Sequence, residues 1–187
     1  MTGTFVIRPA LPPRWTETGA LLSHLPEGCL PPLPRVIRWN GLQLARKAEF
    51  HLTIAGRSDM QRMGIVGPDH PAIVEPAGNG LGDDVGIVLL DELWVLQKPD
   101  PTGGIETTIA AACEAPAMSA IRSRLATATG CHLPAAPPHI TLYTRNPAHG
   151  IGISDLAALQ ARRVAHGRWR DFGLSFPRSP IETDVSP

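Results

Sequence analysis

Two short segments carry residues fit for acid–base chemistry: Phe50-His51-Leu52-Thr53-Ile54 and His139-Ile140-Thr141-Leu142. In a strand, residues two apart share a face, about 6 to 7 Å apart along the backbone. Each segment therefore offers one imidazole and one hydroxyl together, while its apolar neighbours turn into a core. Two imidazoles act as acid and base near neutral pH. Two hydroxyls donate hydrogen bonds to the non-bridging oxygens of a phosphate. The candidate catalytic set is His51, Thr53, His139 and Thr141. A lone histidine on a half-buried strand is more often a structural residue, and threonine is favoured in strands for its shape alone. Yet two such segments, each with apolar second and fourth positions, are on the order of a one-in-a-hundred coincidence at this composition. The matched pair is the signal.

The elements that must position these residues are legible in outline. Thr4–Arg8 reads as a first strand and Trp15–Leu25 as a helix ended by Pro26. Arg35–Trp39 and a returning strand from Leu42 flank Asn40-Gly41, a strong hairpin signal. Ala48–Ala55 alternates strictly, and Ser58 is placed to cap a short helix through Met63. Strands are expected at Val85–Leu90, Leu93–Lys98 and Glu106–Cys113, the last two joined by a turn over Pro99–Gly104. Pro116 opens a helix whose buried face is Met118, Ile121 and Leu125, and Gly130 closes it. His139–Tyr143 is a strand; Ser154 caps a last helix, with Leu156, Leu159 and Arg163 in line and Gly167 at its end. Strands outnumber helices and neighbours look antiparallel, which predicts an α+β fold.

Size and charge narrow the function classes. The 187 residues are 43% hydrophobic, enough for a core, and 17 basic residues balance 17 acidic ones. Coating a long duplex through charge needs many cations facing phosphates, so a small nucleotide or an RNA terminus is the expected partner. Three unpaired cysteines, Cys29, Cys113 and Cys131, point to a reducing compartment. No signal peptide is expected at Met1–Pro13, and the apolar run Val85–Leu96 is too short to span a membrane. A cytoplasmic monomer is expected.

The pair of His-hydrophobic-Thr-hydrophobic strands resembles the 2H phosphoesterase superfamily. Pro137-Pro138-His139-Ile140-Thr141-Leu142 is especially similar to that family's second motif, and the likeness runs from Glu49 to Tyr143. The resemblance implies two pseudo-symmetric lobes of antiparallel sheet with helices outside, each lending one motif strand to a central cleft. It implies residues 1–176 as one bilobal domain, while Pro177–Pro187 reads on its own as a frayed, flexible tail. It also implies metal-independent hydrolysis, without cofactor, of a 2′,3′-cyclic phosphate or 2′-linked phosphodiester. The proline-rich segment Leu11–Pro34 departs from the family's usual strand-then-long-helix opening, which leaves the substrate open.

On this reading His139 serves as base and His51 as acid, an order that the pseudo-symmetry allows to be reversed. Tyr143, two residues past Thr141, is expected on the same face as a base-stacking residue, or else as a cross-strand packing residue. Arg57 and Arg145, at equal offsets beyond the two threonines, are candidates to neutralise phosphate. Trp39 and Trp94 read as core. A non-catalytic module holding a nucleotide in the same cleft is the alternative function. Cys131, His132, His139 and His149 raise zinc as a rival, but familiar ligand spacing is missing, so no metal is expected. Gly78–Gly82 lacks the lysine of a phosphate loop and reads as a flexible loop near the cleft, with a lid as one option for it. The triplets His24-Leu25-Pro26 and His132-Leu133-Pro134 read as turns, and His70, His149 and His166 have no evident partner.

Overall fold

The computed structural model describes residues 5–7, 13–68, 86–146 and 150–177. In chain order its strands and helices are β1 (Phe5–Ile7), β2 (Arg14–Trp15), β3 (Leu21–His24), β4 (Val36–Trp39), β5 (Leu42–Arg46), β6 (His51–Ala55) and α1 (Arg57–Arg62). There follow β7 (Ile87–Pro99), β8 (Ile105–Glu114), α2 (Pro116–Thr129), β9 (His139–Thr144), α3 (Leu156–Arg162), β10 (Arg163–Gly167) and a 3-10 turn over Trp169–Phe172. The fold is α+β and dominated by antiparallel sheet. No helix among the described residues is long and apolar enough to cross a membrane.

Local chemistry sets the turns. Asn40 and Gly41 both take positive φ, 44° and 79°, the geometry that lets a two-residue loop match the twist of its strands. Pro116 opens α2 at its first turn, where no intrahelical donor is needed. Gly130 closes it in the left-handed conformation, its N–H and that of Cys131 returning to the last turn of carbonyls.

Among the described residues ten strands form one sheet, in the order β2-β3-β6-β9-β8-β7-β1. β10 also pairs with β7, and the β4–β5 hairpin joins through the far end of β9. Alternation divides the sheet into two faces. Leu93, Val95, Leu52, Ile54 and Ile140 turn to the main core, which Met118, Ile121 and Leu125 of α2, Met60 of α1 and the fully buried Trp169 complete. Burying each such side chain contributes roughly 1.5–3 kcal/mol. Trp94, Leu96, Ala110 and Ala112 turn the other way, to a smaller cluster with Ile151, Ile153 and Leu159.

Several sequence expectations are corrected. Trp15–Leu25 is not a helix but the β2–β3 hairpin, turning at Gly19 with φ 77°. Leu21 and Ser23 are buried while Leu22 and His24 are half-buried, and pairing with β6 overrides helical propensity. The two strands expected within 85–98 are one 13-residue strand, irregular between Leu89 and Leu93. Gly56, not Ser58, is the N-cap of α1. Asp155, not Ser154, caps α3, its carboxylate accepting from the Ala158 N–H at 2.7 Å. That helix stops at Arg162, and Arg163–Gly167 pairs with β7 instead of extending it. The glycine-rich segment 78–82, His70, His149 and the tail from 178 lie outside the described residues.

Candidate active site

β6 and β9 are antiparallel neighbours, with Leu52 directly opposite Ile140. Both point into the main core. One residue either way along that register, His51 faces Thr141 and Thr53 faces His139. All four expected residues thus share the face opposite the main core. Side chains directly opposite have Cβ atoms about 4.5–5.5 Å apart, and diagonal ones about 7–8 Å. The histidines occupy one diagonal of this quartet and the threonines the other. On the β8 side Ala110 and Ala112 are the cross-strand partners of Thr141 and His139, so only methyl groups crowd that flank.

His139 is held rigidly. It is buried, its ring lies against Trp94 with centroids 6.3 Å apart, and its Nδ1 is 2.9 Å from the Pro137 carbonyl oxygen. A carbonyl only accepts, so Nδ1 carries the proton and Nε2 keeps a lone pair in the neutral ring. Burial lowers its pKa below the ordinary histidine value, against a smaller opposing effect of the Pro137 bond. Trp94, expected as core, is buried but also forms a wall of this site; its indole N–H donates to Glu92 Oε1 at 2.7 Å.

His51 is half-buried, and its pKa falls to about 4. Burial is the main cause, followed by the charges of His24, Lys47 and His139, with Glu49 acting in the opposite direction. His24 is the residue that sequence reasoning missed. It ends β3 directly opposite His51, the two rings edge to face with centroids 6.0 Å apart. Its Nδ1 is 4.0 Å from a Glu49 carboxylate oxygen. The alternation of Leu21–His24 was the available signal, hidden by reading that stretch as helix. His166 stands on β10 opposite Trp94, 3.8 Å from Glu92.

A hollow of about 260 Å³ opens beside Thr53 and His139, lined also by Ser58, Ser154 and Arg162. Gly152, Ile153 and Ser154 wall it, while Ile151 and Ile153 pack in the smaller cluster; outside that lining, a Cβ at Gly150 would lie 3.8 Å from Thr141 Oγ1. Arg162, in the last turn of α3, donates to the Gly152 carbonyl and brings a guanidinium to the hollow. At its base Arg122 and Asp59 form a buried ion pair at 2.9 Å. Arg122 also donates to the carbonyls of Ile54 and Pro134, tying the end of β6 to the segment that leads into β9.

Other expected residues are not brought here. β9 carries a bulge between Thr141 and Tyr143, where two residues of spacing on β9 match one on β8. The extra residue reverses the alternation. Tyr143 therefore turns into the main core, fully buried, with its hydroxyl donating to the Pro34 carbonyl at 3.1 Å. Its pKa is pushed up to about 12, chiefly by burial. Arg145 is exposed past the end of β9 and donates to the Ile105 carbonyl at the β7–β8 hairpin. Arg57 is exposed at the start of α1; its neighbours Gly56 and Ser58 line the hollow. Of the zinc-type residues, Cys131 Sγ donates to the Arg62 carbonyl and His132 is exposed. Among the described residues no group of three or more His, Cys, Asp or Glu side chains is placed to hold a metal ion.

No protein-family model, curated protein or solved structure matches this chain.

Proposed function

We propose that the protein is a metal-independent phosphodiesterase acting on a 2′,3′-cyclic phosphate, or another 2′-linked phosphodiester, of a nucleotide or RNA end. The observation that carries this reading is the Leu52–Ile140 register, which sets two imidazoles and two hydroxyls around one patch of sheet. A tetrahedral anion needs donors to its free oxygens and, across the phosphorus, one group to take a proton and one to give it.

His139 is the base. Its Nε2 lone pair accepts a proton from water as the water oxygen bonds to phosphorus. His51, protonated, gives its proton to the departing sugar oxygen as the P–O bond breaks. The negative charge of the bound diester favours that protonated form, offsetting the burial that depresses it in the free protein. Thr53 and Thr141 donate to the non-bridging oxygens, and Arg162 supplies the positive charge that Arg57 and Arg145 were expected to bring. The reading carries with it two lobes of similar plan meeting at the β6–β9 seam, and a monomer working in the cytoplasm.

The test is a panel of 2′,3′-cyclic nucleotides, cyclic dinucleotides and short 2′,5′-linked RNAs, with EDTA present and products resolved by chromatography. Ring opening or cleavage of one class, unchanged by EDTA, is the expected result. Tight binding without product from any member would reassign the cleft to nucleotide holding, the alternative function.

A further inference from the structure

The 260 Å³ hollow at Thr53 and His139 has room for a phosphate and part of a sugar. It falls short of the roughly 300–1,000 Å³ that small-molecule sites enclose. A larger hollow, about 880 Å³, lies at the other end of the motif strand, around the ends of β3 and β5 and the start of β6. Its roof is the proline-rich segment 25–33, the stretch that departs from the family pattern. His24 lines the larger one and stands opposite His51 across the β3–β6 pairing, so the groove reaches the motif strand beside His51.

We infer that this groove is a nucleobase subsite, holding the base of the substrate whose phosphate lies between His51 and His139. The inference rests on the proposed phosphodiesterase reading and names where the rest of that substrate goes. A nucleobase presents two flat apolar faces and a rim of donors and acceptors. The groove offers apolar walls at Phe50 and Pro31, a guanidinium at Arg14 and a carboxylate at Glu49. Flat rings stack on aromatic and guanidinium groups without demanding one sequence, while the carboxylate accepts from an exocyclic amino group. Prolines are already ordered, so such a wall loses little conformational freedom on binding.

The experiment compares wild-type protein with Ala48→Trp by calorimetry, using adenosine 2′-monophosphate and inorganic phosphate as the two probes. Ala48 is exposed and lines the groove, so an indole there fills the space without touching the core. The variant should bind the nucleotide about tenfold or more weakly while binding phosphate within about twofold of wild type. In wild-type protein, nuclear Overhauser contacts should join the adenine H8 proton to the Ala48 methyl and Phe50 ring. Undiminished nucleotide affinity in a folded variant, equal losses for both probes, or adenine contacts lying elsewhere would overturn the subsite. Failure of the phosphodiesterase reading looks different: no product from any substrate, with nucleotide binding still sensitive to Ala48→Trp.

Discussion

Leu52 lies directly opposite Ile140 across the β6–β9 pair, and both enter the main core. That apolar pairing decides where the polar residues go. Because side chains alternate strictly, a slip of one residue in either strand would send one His-x-Thr pair to the opposite face. The polar quartet on one face is thus held by packing on the other.

Arg122 is the second device that fixes the site. Replacing it by methionine removes three hydrogen bonds and leaves Asp59, 3% exposed, as a buried carboxylate without its counter-charge. A broken buried pair typically costs about 3–5 kcal/mol. Urea unfolding of Arg122→Met should show a loss of that order, and the double variant Arg122→Met/Asp59→Leu should recover part of it. A stability equal to wild type in the single variant would contradict this role.

Much of this was legible beforehand. Both motifs, the Asn40–Gly41 hairpin, the Pro99–Gly104 turn and the Pro116–Gly130 helix rest on local signals: alternation, turn residues and caps. Apart from the two helix N-caps, Gly56 and Asp155, what failed depended on partners distant in sequence. Trp15–Leu25 became a hairpin because β6 was there to pair with it. Tyr143 left the site face because of a bulge set by β8, and no local spacing records that. Arg57 and Arg145 matched in offset, but one begins a helix and the other trails a strand end. Arg162 reaches the hollow only because α3 folds back over the sheet.

Those departures predict a clear division among side chains. Arg162→Ala should lower kcat/KM by about 10-fold or more, through loss of charge at the phosphate. Arg145→Ala should leave turnover within about twofold, since its guanidinium caps the Ile105 carbonyl. Tyr143→Phe should likewise keep its activity while losing about 0.5–1.5 kcal/mol of stability with the Pro34 hydrogen bond. Steady-state kinetics and urea midpoints on the three variants check all of this. An inactive Tyr143→Phe or a fully active Arg162→Ala would sink the division.

The pH profile has a definite sign. In the free protein His51, the proposed acid, titrates near 4, and His139, the proposed base, also lies below the ordinary histidine range. Above the His51 pKa its protonated fraction falls about tenfold per pH unit, so kcat/KM should peak on the acid side of neutrality. Removing the neighbouring charge in His24→Ala should raise the His51 pKa and move the descending limb upward; Glu49→Gln should move it down. Rates that climb steadily from pH 6 to 9 would be incompatible with this assignment.

Stability should also respond to acid. Both histidines have folded pKa values below the unfolded value of about 6.5, so the unfolded chain binds more protons between those limits. Their contribution is complete above about pH 6.5 and is lost as pH falls from there, for His51 down to about 4, by at most about 1.4 kcal/mol per unit per group. Urea midpoints at pH 7.5 and 5 should differ less in His139→Gln than in wild type. An equal drop in both proteins would remove His139 from the account.

The most direct test of the central claim is the rate of 2′,3′-cyclic phosphate hydrolysis by wild type, His51→Ala, His139→Ala and the double variant. Each single change should lower kcat by about 10²–10⁴-fold, and the double should fall little further, because the two rings act on one phosphorus. Full activity in either single variant, or strictly multiplicative losses in the double, would show that the two histidines do not share one reaction.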